Sequence, residues 1–457
     1  MPGLDTSLSI AVQALQANQG ALNVTTNNIA NVNTPGYSRE VAELNEAPTF
    51  QESGVTFGGG VTLEQFQSVR DELLQLRIYE ETGQQGNAQT QLNSLSQIEG
   101  IFSDPTQGVG GALSAFFNSM SQLSTNPTDS NARQAVLTSA NNLANSFHQA
   151  VSSLNTVGTG LDQSVPQTVD QINRLTTQIA ALNGQVAQMQ GLNKDPGTIQ
   201  DQRDELVRQL SGLVNVSVTQ TEHGLTLTTA NGVPLVVANQ SYNLQSNANN
   251  SVLEHVYSAQ GVDITSQIQG GQLGGTLQVR DQAIPQLFTQ LNTLASQLAI
   301  AFNTQHAAGF DASGNAGQNF FTPLPSTTDA AANFGVAITD PSKIAASSDG
   351  SAGSNGNLEQ LIGLQNKPLP SGANPMDAYS NLVLQVGSLG ANAQTNVTAS
   401  NASVQQLTDQ RSAVSGVSLD EETTNMIRYQ RAYEAGARIV TTVDSMYDTL
   451  MAMGVTT

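Results

Sequence analysis

Apolar residues return every seven positions at both ends of the chain. Near the start the series is Leu8, Leu15, Leu22 and Ile29, with Leu4, Ala11, Asn18 and Thr25 at the alternate positions. Near the end, Met426, Tyr433, Val440 and Tyr447 form one series, and Tyr429, Gly436, Val443 and Leu450 form the other. Such a spacing, diluted by polar residues, predicts helices that meet along a coiled-coil seam. Ser418 with Glu421 fits a capping box, and Asp420, Glu421 and Glu422 put negative charge at a helix N-terminus. Two ordinary amphipathic helices on one core would show the same period. The sharper expectation is that the two ends pair with each other and with neighbouring subunits.

The longest heptad run is internal. It steps by four and three from Phe147 through Leu154, Leu161, Ile172 and Leu182 to Met189. As one helix this run is about 65 Å long. Pro166 and the pair Gly158/Gly160 predict a bend, and the unbroken phase predicts one bent rod. A weaker series runs from Ala393 through Val397, Ser400, Val404, Leu407 and Arg411 to Val414. Arg411 at a core position is expected near an end or reaching solvent. Shorter helices are predicted at 66–83, 88–103, 110–124, 130–145, 198–212 and 281–307.

Between 214 and 280 the period changes to two. Val216/Val218 and Leu225/Leu227 alternate with polar residues, and His223-Gly224 and Asn231-Gly232 supply turns. From 309 to 378 the chain is rich in Gly, Pro, Ser and Asn and reads as irregular, with one short helix near Leu358–Leu364. The expected fold is mainly α: an elongated helical bundle or coiled coil of the N- and C-terminal segments, with a small β-rich insertion in the middle. The expected domains are 1–40 with 418–457 (terminal helices), 41–213 with 275–308 and 379–417 (helical rod), 214–274 (β-rich insertion) and 309–378 (irregular).

Composition narrows the function. The net charge is −21 with only 15 Lys and Arg, which disfavours nucleic acid and anionic membrane surfaces. There is no cysteine, so disulfides and thiol chemistry are excluded. Met1–Leu8 carry no basic stretch followed by an apolar one, which predicts no cleaved signal peptide. His148, His223, His255 and His306 lie too far apart in sequence for a zinc motif. Gly58–Gly60 and Gly108–Gly111 do not continue into Lys-Ser or Lys-Thr, so neither is a phosphate loop. Asp201, Asp204 and Glu205 interleave with Arg203 and Arg208, which reads as a solvated ion-pair face. Asp311, Ser313 and Asn315 only faintly match a calcium loop. No catalytic residue, metal or cofactor is expected.

The most telling stretch is Asn27-Asn28-Ile29-Ala30-Asn31-Val32-Asn33-Thr34-Pro35-Gly36-Tyr37-Ser38-Arg39. Physically it ends a helix. It resembles the N-terminal signature shared by rod, hook and hook-associated proteins of the flagellar axis, in which Asn31, Asn33, Thr34, Pro35, Gly36 and Tyr37 form the turn. Four further stretches resemble the hook-associated protein 1 family. They are Asn126-Pro127 to Leu137, Asp201 to Leu206, Gly274-Gly275 through Arg280-Asp281 to Gly309-Phe310-Asp311, and Val417 to Asp444.

The resemblance implies a structural subunit of the flagellum, not an enzyme. It implies export unfolded through the flagellar type III apparatus and an extracellular place at the hook–filament junction. The implied partners are other copies in a ring, the hook protein, the second hook-associated junction protein, and an export chaperone at the C-terminal helix around Met426–Met451. It also implies terminal helices that are disordered in the monomer and order on assembly, and a 309–378 segment that stands for a reduced outer domain. A hook or distal-rod protein is the alternative on the same axis. A secreted adhesin or carbohydrate-active enzyme using the 214–280 region is the alternative class.

Overall fold

The computed structural model describes residues 2–52, 55–103, 108–192, 194–221, 224–248 and 252–454. His223, named above for a turn, lies outside them. The chain is mainly helical, with long helices at both ends and strands in short groups. Among the described residues no helix is long and apolar enough to cross a membrane. Two compact units form. The first holds residues 1–83, 171–244 and 401–457; the second holds 84–170 and 245–400.

In the first unit, α1 (Pro2–Ala30) and α10 (Leu419–Gly454) run antiparallel along each other. Leu15 of α1 comes so close to Gly436 that a Cβ there would lie 3.2 Å from its side chain. Strands β1 (Glu40–Glu46) and β4 (Val61–Ser68) pair as an antiparallel ribbon, with β2 (Phe50–Glu52) and β3 (Val55–Phe57) paired beyond them. A helical rod is expected over this stretch, so the ribbon is a correction. Its strands are short, a bulge at Glu43/Leu44 breaks their alternation, and one face lies on α1. The Gly58–Gly60 cluster is the neck of this ribbon. A Cβ on Gly59 would meet the Pro48 carbonyl oxygen at 2.2 Å, and Gly60 has φ +93°.

Helix α2 (Glu72–Phe102) begins in the first unit and packs there on α5 (Gly197–Leu213), burying Ile78, Tyr79, Val207 and Leu210. Helix α4 (Ser130–Gly191) is continuous through Pro166, an interior proline that costs about 3 kcal/mol. Buried Val165 and Val169 beside it supply offsetting apolar contacts. The C-terminal part of α4 carries a four-stranded sheet, ordered β5 (Val216–Thr221), β6 (Gly224–Thr229), β7 (Pro234–Val237), β8 (Gln240–Ser241). Leu225, Leu227, Leu235 and Val236 face inward. Asn183 of α4 donates to the Leu225 and Ala238 carbonyls at 2.7 and 2.9 Å, fixing sheet to helix. The short strands β9 (Gln245–Asn247) and β10 (His255–Tyr257) belong to the second unit, so the 214–274 stretch divides between the two.

The second unit packs α3 (Val109–Thr125), the first two thirds of α4, α7 (Ile284–Ala307), α8 (Gly356–Gly363) and most of α9 (Pro375–Ser415) around one core. Helix α6 (Gly271–Gln278) runs into α7 through a π-helical turn, Val279–Ala283. Segment 309–378 has little regular structure, yet it is not an appendage. Phe320, Phe321, Phe334, Ile344, Leu358 and Leu361 are all fully buried among the helices. Polar side chains of the helices hold its backbone. Asn303 accepts from the Phe320 and Phe321 amides at 2.9 and 2.8 Å, and Arg133 donates to the Ile344 and Pro127 carbonyls. The Asp311 carboxylate accepts from the Ser313 and Asn315 amides and binds Lys343 Nζ at 3.1 Å.

His306 is the one fully buried histidine among the described residues. Nδ1–H donates to the Gln318 carbonyl at 2.6 Å, and Nε2 accepts from the Ala345 amide at 2.9 Å. Both bonds require the neutral ring, and burial pushes its pKa below the ordinary histidine value. The folded value lies below the unfolded one, so this contribution is fully present above about pH 6.5 and drains as pH falls below it. Protonation forfeits the Ala345 bond, a loss of about 1–3 kcal/mol. Urea unfolding of the second unit is expected to weaken between pH 7.5 and 5.5, and His306→Phe is expected to flatten that dependence. An unchanged slope in the variant would refute the assignment.

Candidate assembly site: the signature turn and the paired ends

Helix α1 stops because asparagine side chains and Pro35-Gly36 replace its ladder. Asn31 donates through Nδ2 to the Asn27 carbonyl and side chain, both at 3.0 Å, and Thr34 Oγ1 donates to Asn31 Oδ1 at 3.1 Å. Gly36 has φ +82°, a left-handed position that strains any side chain. That reversal folds Tyr37 back, where its hydroxyl donates to Asn28 Oδ1 at 2.9 Å. Asn28 in turn exchanges bonds with the Glu40 backbone at 2.8 and 3.0 Å, starting β1. Burial first, then the nearby carboxylates of Glu40, Asp201 and Glu422, push the Tyr37 phenol well above its usual range, so it stays a neutral donor. Asn33, Thr34 and Pro35 are exposed.

The chain beyond the turn is clamped from two directions. Asp201 of α5 accepts from the Ser38 amide at 2.9 Å and the Ser38 hydroxyl at 2.8 Å. Arg70 binds Asp201 at 2.7 Å and Asp204 at 2.9 Å, and Arg203 meets Asp204 at 3.2 Å. Burial raises the Asp201 carboxyl pKa, against the pull of Arg70 and the Ser38 donors. From α9, Arg411 donates to the Gly36 carbonyl at 2.5 Å and to Ser38 Oγ at 3.1 Å. The Arg39 amide donates to the Ser415 carbonyl at 2.8 Å, and its guanidinium pairs with Glu421 at 2.7 Å. The N-terminal signature and the α9–α10 junction therefore meet at one place.

Two expectations change here, and one is met. Asp201 and Arg203 are buried and join half-buried Asp204 in one network, and only Glu205–Arg208, at 2.6 Å, is the solvated pair. Arg411 lies near an end, as expected, four residues before the last residue of α9, and its half-buried side chain grips the signature turn. The Ser418 capping box is half made: Ser418 Oγ accepts from the Glu421 amide at 3.4 Å, while the Glu421 carboxylate turns to Arg39.

Along the paired helices, Gly436 and Val443 of α10 are buried, and Met426, Tyr429, Val440, Tyr447 and Leu450 are half-buried; Tyr433 is exposed. On α1, Leu8, Leu15, Leu22 and Ile29 are only half-buried, and the closed positions are Ala11, Ala17, Ala21, Val24, Thr25 and Asn28, of which Ala11 and Thr25 belong to the alternate series. Small residues sit there because α1 is approached by both α10 and the ribbon. A Cβ on Gly20 would meet Leu63 Cδ2 at 2.6 Å. Asn28, Ser38, Arg39, Arg70, Asp201 and Arg411 are the working residues that periodicity does not reveal. The signal for Arg411 is its misfit, a cation in an apolar series.

Three stretches of the chain match known families. Residues 8–37 match the family described as flagella basal body rod protein, and residues 408–453 match the flagellar basal body rod FlgEFG protein C-terminal family. Residues 95–321 match the flagellar hook-associated protein FlgK helical domain. Flagellar hook-associated protein 1 of Bacillus subtilis (strain 168) is 32% identical, covering 98% of this chain and 98% of its own. The chain belongs to the flagellar hook-associated protein 1 family. The Escherichia coli (strain K12) member is 29% identical over 544 aligned positions, more than the 457 residues here, so that hook-associated protein 1 carries insertions this chain lacks. The flagellar hook junction protein FlgK from Burkholderia pseudomallei shares the fold, with a TM-score of 0.66 at 19% identity, covering 74% of this chain and all of that one. As a member of that family, the chain is a structural component of the flagellum and not an enzyme.

Proposed function

We propose that the chain is the subunit that joins the hook to the filament, self-assembling through α1 and α10 at the distal end of the hook. The hook protein lies below it and the second hook-associated junction protein above it. The observation that carries this reading is the half-covered state of the terminal pair. The predicted leucine series stays half-open, and Ile427, Ile439 and Met446 of α10 are each about half exposed. A helix pair with so much open apolar surface gains little to offset its chain entropy, so neighbouring copies complete it. The same deficit makes the ends disordered before assembly and available to an export chaperone around Met426–Met451. The lack of cysteine suits passage unfolded through a type III channel to the cell exterior. The 309–378 segment takes the place of the outer domain of larger members.

Deletion of residues 1–35 is the test. The second unit contains none of them, so it is expected to keep its thermal transition. Filament growth beyond the hook is expected to stop. Filaments of ordinary length on cells carrying only the deleted chain would sink the reading.

A further inference from the structure

Helix α1 is covered on two opposite sides. Leu15 faces Gly436 of α10, whereas Ile10 lies against Gly60 and Gly20 against Leu63 and Phe66 of the ribbon. At about 100° per residue, Leu15 and the Ile10/Gly20 pair point away from each other. The ribbon and α10 therefore present their outer faces in different directions.

These outer faces carry opposite charge. Residues 40–68 contain five glutamates and no Lys or Arg. Glu46 and Glu64 are exposed and Glu43 is half-exposed, with exposed Val41 beside them. The bonds that Glu43 and Glu64 make come from neutral amides, Gln65 and Asn45. On α10, Arg431, Arg438 and Ile427 point away from the Gly436–Val443 seam, while Arg428, Ile439 and Met446 border it. All three arginines are exposed, and among the described residues none is in an ion pair; Arg428 lies 4.8 Å over the Tyr429 ring. Glu434, exposed three residues after Arg431 and four before Arg438, is the one acidic residue between Ile427 and Ile439, so this stretch of α10 is net cationic in a chain with 36 acidic and 15 basic residues.

The geometry points to a head-to-tail contact between copies of this chain, in which the acidic ribbon of one docks on the Arg428–Arg431–Arg438 flank of α10 in the next. This inference rests on the self-assembly reading and names its surface. Each copy offers one acidic and one basic face on different sides, which is the condition for a ring or a helical array. Two subunits of charge −21 repel at long range, so a local pair of complementary faces sets register and steers encounter. Ile427, Ile439 and Met446 meeting Val41 supply apolar burial.

The absence of native cysteine makes cross-linking clean. Two single variants, Glu64→Cys and Arg438→Cys, are co-produced in the host bacterium, and flagella are isolated and oxidised. A cross-linked dimer is expected with the pair and not with either variant alone. In a second arm, Glu43→Arg with Glu64→Arg, or Arg431→Glu with Arg438→Glu, is expected to remove the subunit from flagella. Combining both reversals in one chain is expected to restore it. All four sites lie on the surface, so melting temperatures should stay within a few degrees of the unsubstituted chain. The inference is overturned if both single-cysteine chains enter flagella without forming a dimer, or if the charge-reversed chains assemble normally. Absence of the unsubstituted chain from flagella is a separate result, which overturns the self-assembly reading and this contact with it.

Discussion

Asp201→Ala is expected to destabilise the first unit by about 3–5 kcal/mol, the range for removing one partner of a buried charge pair. Two groups lose their acceptor at once: the Ser38 amide with its hydroxyl, and one side of the Arg70 guanidinium. Asp204 still holds Arg70 at 2.9 Å, which places the effect toward the lower end of that range. Asp201→Asn keeps an oxygen for Ser38 but not the charge for Arg70, so it falls between alanine and the unsubstituted chain. Glu205→Ala, one helix position beyond Asp204, removes only a solvated pair and is expected to cost about 0–1 kcal/mol. Urea unfolding followed by a probe in the first unit measures all three. Hydrogen exchange at the Ser38 and Arg39 amides should accelerate in Asp201→Ala alone. Equal stability of the Asp201 and Glu205 variants would mean that the signature turn holds itself without α5.

Periodicity makes the terminal helices legible and places only part of where α1 closes: Ala11 and Thr25 of the alternate series are buried, the leucines only half so. A leucine series marks the side of α1 that meets one neighbour, and α1 has two. The alanines and Gly20 record the second approach, but small residues carry no period of their own. The ribbon over 40–68 is hidden for a related reason. Its strands are short, a bulge interrupts the alternation, and its glycine neck reads in isolation as a loop of any kind. Charge is ambiguous in the same way. Alternating Asp and Arg on a helix describe a solvated face and a buried network equally well until the partner elements are known. Here Arg70 and Ser38 arrive from more than 130 residues away and turn half of the cluster inward.

The family-like stretches, by contrast, mark contacts that periodicity does not. Arg133 and Asn303 each hold backbone of the 309–378 segment, and Arg280 binds Asp162 at 2.7 Å and the Glu254 carbonyl at 2.8 Å. Gly274 and Gly275 let helix α6 press on Asn87 and Gln269, where a Cβ would meet backbone atoms at 2.6 Å. What links these positions is polar fastening of irregular chain to helix, which leaves no repeat in the sequence.

That fastening makes Phe321 the decisive position in the second unit. Its ring centroid lies 4.6 Å from Phe334, 4.9 Å from Phe320, 5.2 Å from Phe302 and 5.7 Å from Phe116, and its side chain is fully buried. Phe116 and Phe302 belong to helices, whereas Phe320, Phe321 and Phe334 come from the irregular segment. Phe321→Ala is expected to cost the second unit about 3–5 kcal/mol, because the cage of rings around it cannot collapse into the space. A segment that merely stood out from the helices would lose almost nothing on the same change. Val262→Ala, at a residue more than half exposed in the same unit, serves as the control and is expected to stay within about 0.5 kcal/mol. If denaturant unfolding found the two variants alike, the irregular segment would be a covering and not part of the core, and the helices alone would have to account for the stability of the unit.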